Sequence, residues 1–234
     1  MPAPHPRMHG LVHGHGGADP VLIAWEDIGA GGGGGGGPYA CGSFDAPILD
    51  NFNRANEEPM SGGWAARSPS AFKVVSNQAA LGTPVTSFVA AAYYSTAGTF
   101  TDCQAYVTLA VRNNWQSVMG RVQAAASGTA GGCYACAYNS SNDKIDLYTT
   151  IGTDGALSVS LGTSGILGLA SGDKLGICCV GTTISCWIYK AAAWTSVLTV
   201  TNTSYTSGYL GLVQYGDVGD VTGRLDDFGG GAST

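Results

Sequence analysis

Between residues 48 and 229, apolar and polar positions alternate in short runs. Examples are CQAYVTLAVR, which begins at Cys103, and KIDLYTTIG, which begins at Lys144. The runs are rich in β-branched and aromatic residues, are bounded by Gly, Asn, Asp, Ser or Pro, and recur at a spacing of roughly ten to fifteen residues that is typical of sandwich strands. No run has helical periodicity. The pattern predicts an all-β fold in which two antiparallel sheets pack face to face around one core.

The clearest local feature is the segment KLGICCVGTTISCWIYKA, which begins at Lys174. It predicts a hairpin of two strands joined around Gly181 and Thr182, because short glycine-containing loops commonly connect antiparallel strands. With a three-residue loop, Cys178 and Cys186 would face each other across the hairpin. The sequence alone does not decide that register.

The front of the chain has a different character and predicts a separate organisation. Residues 1–28 contain one apolar run, VLIAWEDI, and are interpreted as an attachment segment. Residues 29–47 include seven consecutive glycines and are interpreted as a linker, since glycine-rich chains are flexible unless neighbours pack against them. Residues 48–229 form the predicted sandwich, and residues 230–234 form a short C-terminal tail.

The low charge of the chain argues against two classes of partner. Charged residues make up 11 % of the sequence, against roughly 25 % in an ordinary soluble domain, and the formal net charge is −6. The ten Lys and Arg residues are scattered, so the sequence argues against nucleic-acid binding, which needs a basic surface. No apolar run approaches the roughly twenty residues of a membrane-spanning helix, so membrane insertion is not expected.

The seven cysteines are predicted to be reduced thiols that act as small core residues. Their number is odd, and the first residues, MPAPHPRMHG, lack the apolar run of a signal peptide, so we expect synthesis in a reducing cytosol. Cys133 and Cys136 have the spacing of half a zinc site. However, alternation along a strand places them on opposite faces, and no second Cys or His pair stands at a suitable distance.

The two ends of the predicted sandwich resemble a known superfamily. The segment LDNFNRANEEPMSGGW from Leu49, the hairpin, and the closing segments TNTSYTSGYLGLVQYG and LDDFGGG are similar to the concanavalin A-like jelly rolls in their laminin-G-like form. The aspartate–phenylalanine patterns at both ends suit two terminal strands that lie side by side. The resemblance implies a jelly-roll sandwich, a fold that carries lectins, glycosidases, adhesins and structural modules alike.

The leader, with GGADPVLIAWEDIG and the polyglycine tract, resembles minor tail proteins and other virion proteins of phages that infect actinobacteria. This resemblance implies a virion protein, in the tail or as a capsid decoration, that contacts other virion proteins through residues 1–28. It also implies a homo-oligomer, with a trimer as the expected form.

Catalytic chemistry finds little support in the sequence. Glycosidases of this superfamily carry a Glu-x-Asp-x-x-Glu strand motif, and glycoside hydrolysis generally needs a pair of carboxyl groups. The only glutamates are Glu26, Glu57 and Glu58, none of them in a predicted strand, and most aspartates lie in turn-like contexts. All four histidines precede residue 16, which excludes a Ser-His-Asp triad within the sandwich. The glycine run is followed by Pro38 rather than by a helix, which argues against a nucleotide loop. The chain is therefore not expected to be an enzyme.

Two kinds of metal site are candidates. In an extended chain His13 and His15 lie on one face, and a trimer would bring six such imidazoles around its axis as ligands for a transition metal. The alternative is that they are solvated residues of a flexible leader. Residues 139–146 and 215–220 carry Asp and Asn oxygens that suit Ca²⁺, the usual cofactor of such sandwiches, but ordinary turn chemistry explains them equally well.

Aromatic side chains near predicted turns are the candidates for glycan binding, because sugars stack on aromatic faces beside polar groups. We select Trp115, Trp194 and Tyr215, with core packing as the alternative for each. The sequence favours a phage virion structural protein that displays its sandwich for adhesion to the host surface, with a cell-surface glycan as partner. The alternatives are a stand-alone carbohydrate-binding lectin module and a glycosidase that acts on cell-wall polysaccharide.

Overall fold

The structure is a computed structural model that describes residues 40–68, 71–82, 89–124, 132–150, 157–216 and 222–234. Within these residues the regular elements are strands, and none is a helix able to span a membrane. Residues 1–39 lie outside the described ranges, and with them lie the attachment segment 1–28, most of the linker, and His13 and His15. The strands are β1 (Ile48–Asp50), β2 (Trp64–Ala66), β3 (Phe72–Val75), β4 (Gln78–Leu81), β5 (Val89–Tyr94), β6 (Cys103–Val111), β7 (Gln116–Val122), β8 (Tyr134–Asn139), β9 (Lys144–Thr150), β10 (Leu157–Thr163), β11 (Lys174–Val180), β12 (Thr183–Lys190), β13 (Ala193–Thr201), β14 (Tyr209–Tyr215) and β15 (Arg224–Ala232).

The strands form two antiparallel sheets, which confirms the predicted all-β sandwich. Sheet I has eight strands in the order β13-β12-β11-β6-β15-β4-β3, with β1 also paired to β15. Sheet II has seven strands in the order β10-β9-β8-β7-β14-β5-β2. Strands that follow one another in the chain often pair. Strands β6, β14 and β15, however, pair with strands that are distant in sequence, so much of the strand register depends on long-range contacts.

The β11–β12 hairpin forms as predicted, with a two-residue loop. Val180 pairs with Thr183, and Gly181 between them has a φ of +55°, in the left-handed region that glycine adopts without strain. This register places Cys178 opposite Ser185 and Cys186 opposite Ile177. A direct Cys178–Cys186 pair, the alternative that a three-residue loop would allow, is therefore wrong.

The first and last strands of the sandwich lie side by side, as the terminal aspartate–phenylalanine patterns predict. Ile48 of β1 pairs with Gly229 of β15. Strand β15 continues to Ala232 and so includes three residues that the sequence analysis placed in the C-terminal tail. The closing glycines fit there because Gly229 lies against the ring of Tyr106, where a β-carbon would come within 2.3 Å of a ring atom.

The core lies between the two sheets and is built from alternate residues of each strand. Its side chains range from large aromatics such as Phe52, Tyr134 and Phe228 to alanine and cysteine, and all of these are buried. Small residues let the sheets and strands approach closely. At Gly211 in β14, a β-carbon would lie 2.5 Å from the Ala92 carbonyl oxygen of the neighbouring strand.

The cysteine prediction is confirmed for five residues and wrong for two. Cys103, Cys133, Cys136, Cys179 and Cys186 are free and buried. Cys41 and Cys178, however, form a disulfide across 137 residues of sequence. The reason is strand alternation: Cys179 faces the core, so Cys178 faces the outer side of sheet I, where Cys41 passes over it.

Cys41 belongs to a segment, residues 40–47, that we call the strap. It crosses the outer face of sheet I and leads into β1. Phe44 at its centre is buried, at 6 % exposure, although the sequence analysis assigned these residues to the linker. The last part of the predicted linker therefore packs against the sandwich in the described structure.

We expect Gly211→Ala to destabilise the sandwich by roughly 1–3 kcal/mol, because the added methyl group would overlap a backbone oxygen that cannot move aside. The matched control is Gly165→Ala, where no atom lies within 4 Å of the added carbon, so its effect should be near zero. Urea unfolding of the two variants beside the parent chain measures both. Equal midpoints for the two variants would contradict the close approach of β14 to β5.

Candidate functional site

A recess lined by aromatic side chains opens at one end of the outer face of sheet II. Trp115, Tyr148, Leu157 and Tyr215 line it, and its volume is about 250 Å³. The ring centroid of Trp115 is 6.0 Å from that of Tyr148 and 6.4 Å from that of Tyr215. We call these four residues the aromatic pocket. The structure thus brings together two of the three residues selected for glycan binding, Trp115 and Tyr215.

Four strands position these side chains. Trp115 directly precedes β7, Tyr148 lies in β9, Leu157 begins β10 and Tyr215 ends β14. Leu147 is in the core, so alternation turns its neighbour Tyr148 outward. Strand β14 pairs with β7, and beyond the last ladder pair the Tyr215 N–H donates to the Trp115 carbonyl oxygen at 3.0 Å.

A hydrogen bond and an uncommon backbone conformation accompany two of the pocket rings. The Tyr215 hydroxyl accepts a hydrogen bond from the backbone N–H of Leu157. Trp115 has a φ of +52°, an uncommon conformation for a residue with a β-carbon. The three aromatic side chains are half-buried, so part of each ring faces solvent. The pocket is therefore a preformed surface of aromatic rings rather than a closed cavity.

The lining of the pocket is mostly apolar. No Asp, Glu, Lys, Arg or His is among its described lining residues. The Oδ1 atom of Asn114, which precedes Trp115 in the chain, and the Oγ atom of Ser117 in β7 are buried and have no hydrogen-bond partner among the described residues, but neither residue lines the pocket. Burial raises the pKa of Tyr148, helped by the nearby Asp146, so its hydroxyl stays protonated at neutral pH. The uncharged aromatic lining suits a neutral ligand.

Trp194, the third selected residue, lies far from this pocket, on the outer face of sheet I. Its ring packs against Phe44 of the strap with centroids 4.1 Å apart, and Tyr106 and Tyr189 flank it. It is half-buried. Trp194 therefore takes part in intramolecular packing, while Trp115 and Tyr215 share a separate recess.

A second recess of about 250 Å³ lies beside β15 and is polar. Burial raises the pKa of Asp226, and the nearby carboxylates of Asp227 and Asp50 raise it further. Among the described residues, no group of three or more His, Cys, Asp or Glu side chains is arranged to hold a metal ion. The recess is lined by Asn51, Asn53, Asn77, Asp226 and Asp227.

The first calcium candidate, residues 139–146, forms a turn whose oxygens bind other parts of the chain. Asp143 accepts hydrogen bonds from the Tyr138 hydroxyl at 2.7 Å and from the Leu169 N–H at 3.2 Å. Burial opposes ionisation of Asp143, but these hydrogen bonds outweigh it and lower its pKa. Asn139 accepts from the Ser141 N–H. Ordinary turn chemistry therefore accounts for this segment, and residues 217–220 of the second candidate lie outside the described ranges.

Glu57, one of the few glutamates, is fixed in an ionic network. It accepts hydrogen bonds from the Ser61 hydroxyl at 2.6 Å, from the Ser61 N–H at 2.9 Å and from Arg54 at 2.7 Å. These bonds lower the pKa of Glu57 to about 2. Arg54 also binds Asp50, which accepts a hydrogen bond from the Trp64 indole. Glu57 is therefore ionised at neutral pH and suits a structural role rather than proton donation.

The resemblance of this chain to known proteins concerns its fold. No family model and no curated protein matches the chain. Among solved structures, the carbohydrate-binding module CBM66 from Bacillus subtilis is similar with a TM-score of 0.51 and 12 % identity, over 73 % of this chain and 96 % of that module. A legume lectin-like domain from Entamoeba histolytica has a TM-score of 0.51 and 10 % identity, over 77 % and 97 % of the two chains.

The metal-free form of the VIP36 exoplasmic/lumenal domain has a TM-score of 0.50 and 9 % identity, over 78 % of this chain and 88 % of that domain. These likenesses show a lectin-like β-sandwich, so the expected jelly-roll fold is confirmed. They do not bear on the virion resemblance of residues 1–47.

Glu57 generates a pH prediction. Its pKa in the folded state lies below its ordinary value of 4.5, at about 2. The ionised group therefore stabilises the fold fully above pH 4.5, and this contribution disappears as the pH falls through 2. We expect Glu57→Gln to lower the urea midpoint at pH 7, and the difference from the parent chain to shrink between pH 4.5 and 2. A difference that is constant across this range would contradict the assignment.

Proposed function

We propose that this chain is a non-catalytic adhesion protein whose sandwich binds a glycan at the aromatic pocket. The single observation that carries the proposal is the convergence of Trp115, Tyr148 and Tyr215 on one uncharged recess. A lectin-like fold is compatible with it, since one of the similar structures is titled a carbohydrate-binding module and another a legume lectin-like domain.

The pocket chemistry suits the apolar face of a sugar ring. Aromatic rings attract such faces, and the surrounding polar groups determine orientation. The volume of about 250 Å³ is below the roughly 300–1,000 Å³ of pockets for drug-sized ligands. The site therefore suits one ring of a longer glycan.

The absence of charged lining among the described pocket residues favours a neutral sugar over a sulfated or uronate-rich one. A carboxylate or sulfate would have no cation in the pocket to offset its desolvation, which is costly for an unpaired ion. A single half-open pocket also implies modest affinity for one copy. Several copies on one support would raise the overall avidity without any new contact.

The placement of the protein in a phage virion, in the tail or as a capsid decoration, is part of this proposal and rests on the sequence of residues 1–47. In this view residues 1–28 bind other virion proteins, and the sandwich, in a homo-oligomer such as a trimer, reaches a glycan of the host surface. A stand-alone lectin module would use the same pocket. The two differ in whether the full chain joins a particle, and under the virion hypothesis removal of residues 1–28 abolishes that incorporation.

Trp115→Ala should weaken glycan binding at least about tenfold, which is the loss of a typical aromatic anchor. The parent chain is first tested on an array of neutral and acidic glycans that includes bacterial cell-wall polysaccharides. Its strongest neutral ligand is then titrated calorimetrically into each variant.

The matched control is Trp194→Phe, which alters a tryptophan of the opposite sheet and keeps a ring against Phe44. Its affinity should equal that of the parent chain. Unchanged binding by Trp115→Ala, or equal losses in both variants, would refute the aromatic pocket as the glycan site. No binding to any array glycan would refute the function itself.

A further inference from the structure

The strap inserts one aromatic side chain into a ready-made cradle on sheet I. The Phe44 ring lies 4.1 Å from Trp194, 6.0 Å from Trp187 and 6.3 Å from Tyr106, measured between ring centroids. These rings come from β13, β12 and β6, so a single side chain of the strap contacts rings from three of four adjacent strands. Phe44 is buried at 6 % exposure, yet it does not belong to the core between the sheets.

Two glycines make this insertion possible. A β-carbon on Gly176 of β11 would lie 2.5 Å from the Phe44 ring, and one on Gly42 would lie 2.4 Å from the Trp187 ring. Real β-carbon contacts are longer than this. The floor of the cradle and the backbone of the strap are therefore closely fitted to each other.

Apart from the packing of its side chains, the strap is tied to the sandwich by isolated hydrogen bonds, one of which joins the Gly230 N–H to the Pro47 carbonyl oxygen at 3.3 Å. The Phe44 N–H donates to Gln104 Oε1 at 3.3 Å, and the Cys41 N–H donates to the Thr234 carbonyl oxygen at 3.3 Å. The Tyr106 hydroxyl donates to the Ala46 carbonyl oxygen at 3.0 Å. No strand ladder involves residues 40–47 in the described structure. The disulfide between Cys41 and Cys178 is the covalent tie of the strap to sheet I.

We propose that the Cys41–Cys178 disulfide is a redox latch that holds the strap closed, and that its reduction releases the strap while the sandwich stays folded. The core between the sheets contains neither Phe44 nor the disulfide, and β1 remains paired to β15 beyond the strap. Reduction removes the high effective concentration that the covalent link gives Phe44 near its cradle. The latch lies on the sheet opposite the aromatic pocket and is independent of the proposed glycan site.

The chemistry of the latch is thiol–disulfide exchange with a dithiol reductant. A thiolate of the dithiol attacks Sγ of Cys41, which is half-buried, whereas Cys178 is fully buried. The S–S bond breaks, and Cys178 leaves as a thiolate beside the Ser233 hydroxyl, 3.5 Å from its sulfur. The second thiol of the reductant then displaces Cys41, forming the reductant's own disulfide. Two electrons and two protons pass to Cys41 and Cys178.

The latch changes where the chain leaves the sandwich. When it is closed, the strap begins beside Thr234; when it is open, the part of the chain fixed to the sandwich begins at Ile48 of β1. Eight further residues at roughly 3.3 Å each lengthen the tether by about 26 Å. Release also uncovers Trp187 and Trp194. In a reducing compartment the strap is open, and in an oxidising one it is closed.

Cysteine alkylation of the full chain tests the latch. The oxidised chain and the chain pretreated with dithiothreitol are exposed to iodoacetamide under native conditions, and labelled cysteines are identified by peptide mapping. We expect neither Cys41 nor Cys178 to react in the oxidised chain and both to react in the reduced chain. The four cysteines of the core between the sheets, Cys103, Cys136, Cys179 and Cys186, are internal controls, and Cys178 should react at least about tenfold faster than they do, as local opening requires.

Three outcomes would overturn the proposal. The first is alkylation of Cys41 alone after reduction, which would mean that the strap stays in place and still covers Cys178. The second is labelling of the core cysteines at the rate of Cys178, which would mean that the whole sandwich opens. The third is reaction of both cysteines in the oxidised chain, which would mean that the disulfide does not form.

Two variants sharpen the test. Cys41→Ser leaves Cys178 without its disulfide partner, so Cys178 should react without any reductant. Phe44→Ala keeps the disulfide and removes the ring, so Cys178 should stay protected until reduction and then react faster than in the parent chain. If Cys178 of the Cys41→Ser variant stays as protected as in the oxidised parent, the disulfide does not control the strap.

Discussion

Strand alternation, with every second side chain committed to the space between two sheets, is the constraint on which the rest of this structure depends. Cys179 and Leu147 face the core, so their neighbours Cys178 and Tyr148 must face outward. The first outward residue anchors the strap on sheet I, and the second lines the aromatic pocket on sheet II. A slip of one residue in either strand would exchange core and surface and abolish both features.

A chain with few charges has few ionic means of joining its loops, and the buried Arg121 shows how those few are used. Its side chain is 1 % exposed, and its guanidinium donates to the carbonyl oxygens of Thr101 and Tyr205 and to the carboxylate of Asp102. A buried cation is tolerated only when its donors are satisfied. One arginine on β7 therefore fixes the loops that precede β6 and β14. In a second network, Arg54 forms ion pairs with Asp50 of β1 and with Glu57.

Local patterns in the sequence were sufficient to predict the strands and the hairpin, because side-chain alternation and a glycine-containing turn each involve only a few consecutive residues. Trp115 and Tyr215 were selected individually, but their proximity depends on the pairing of β7 with β14, a contact between residues about a hundred positions apart. Tyr148 and Leu157 carried no signal beyond strand alternation. The disulfide was missed because Cys41 lies in a glycine-rich segment that resembles a linker, and only the folded sheet brings it to Cys178.

The two outer faces of the sandwich carry different features, and this separation has a geometric consequence. The chain enters across sheet I, where the strap crosses β6, β11 and β12, while the aromatic pocket opens on the outer face of sheet II. The latch joins the strap to the outer face of sheet I, whereas the pocket lies on sheet II. Opening the latch therefore lengthens the tether and leaves the pocket unchanged. Reach and recognition are thus set by different residues and can vary independently.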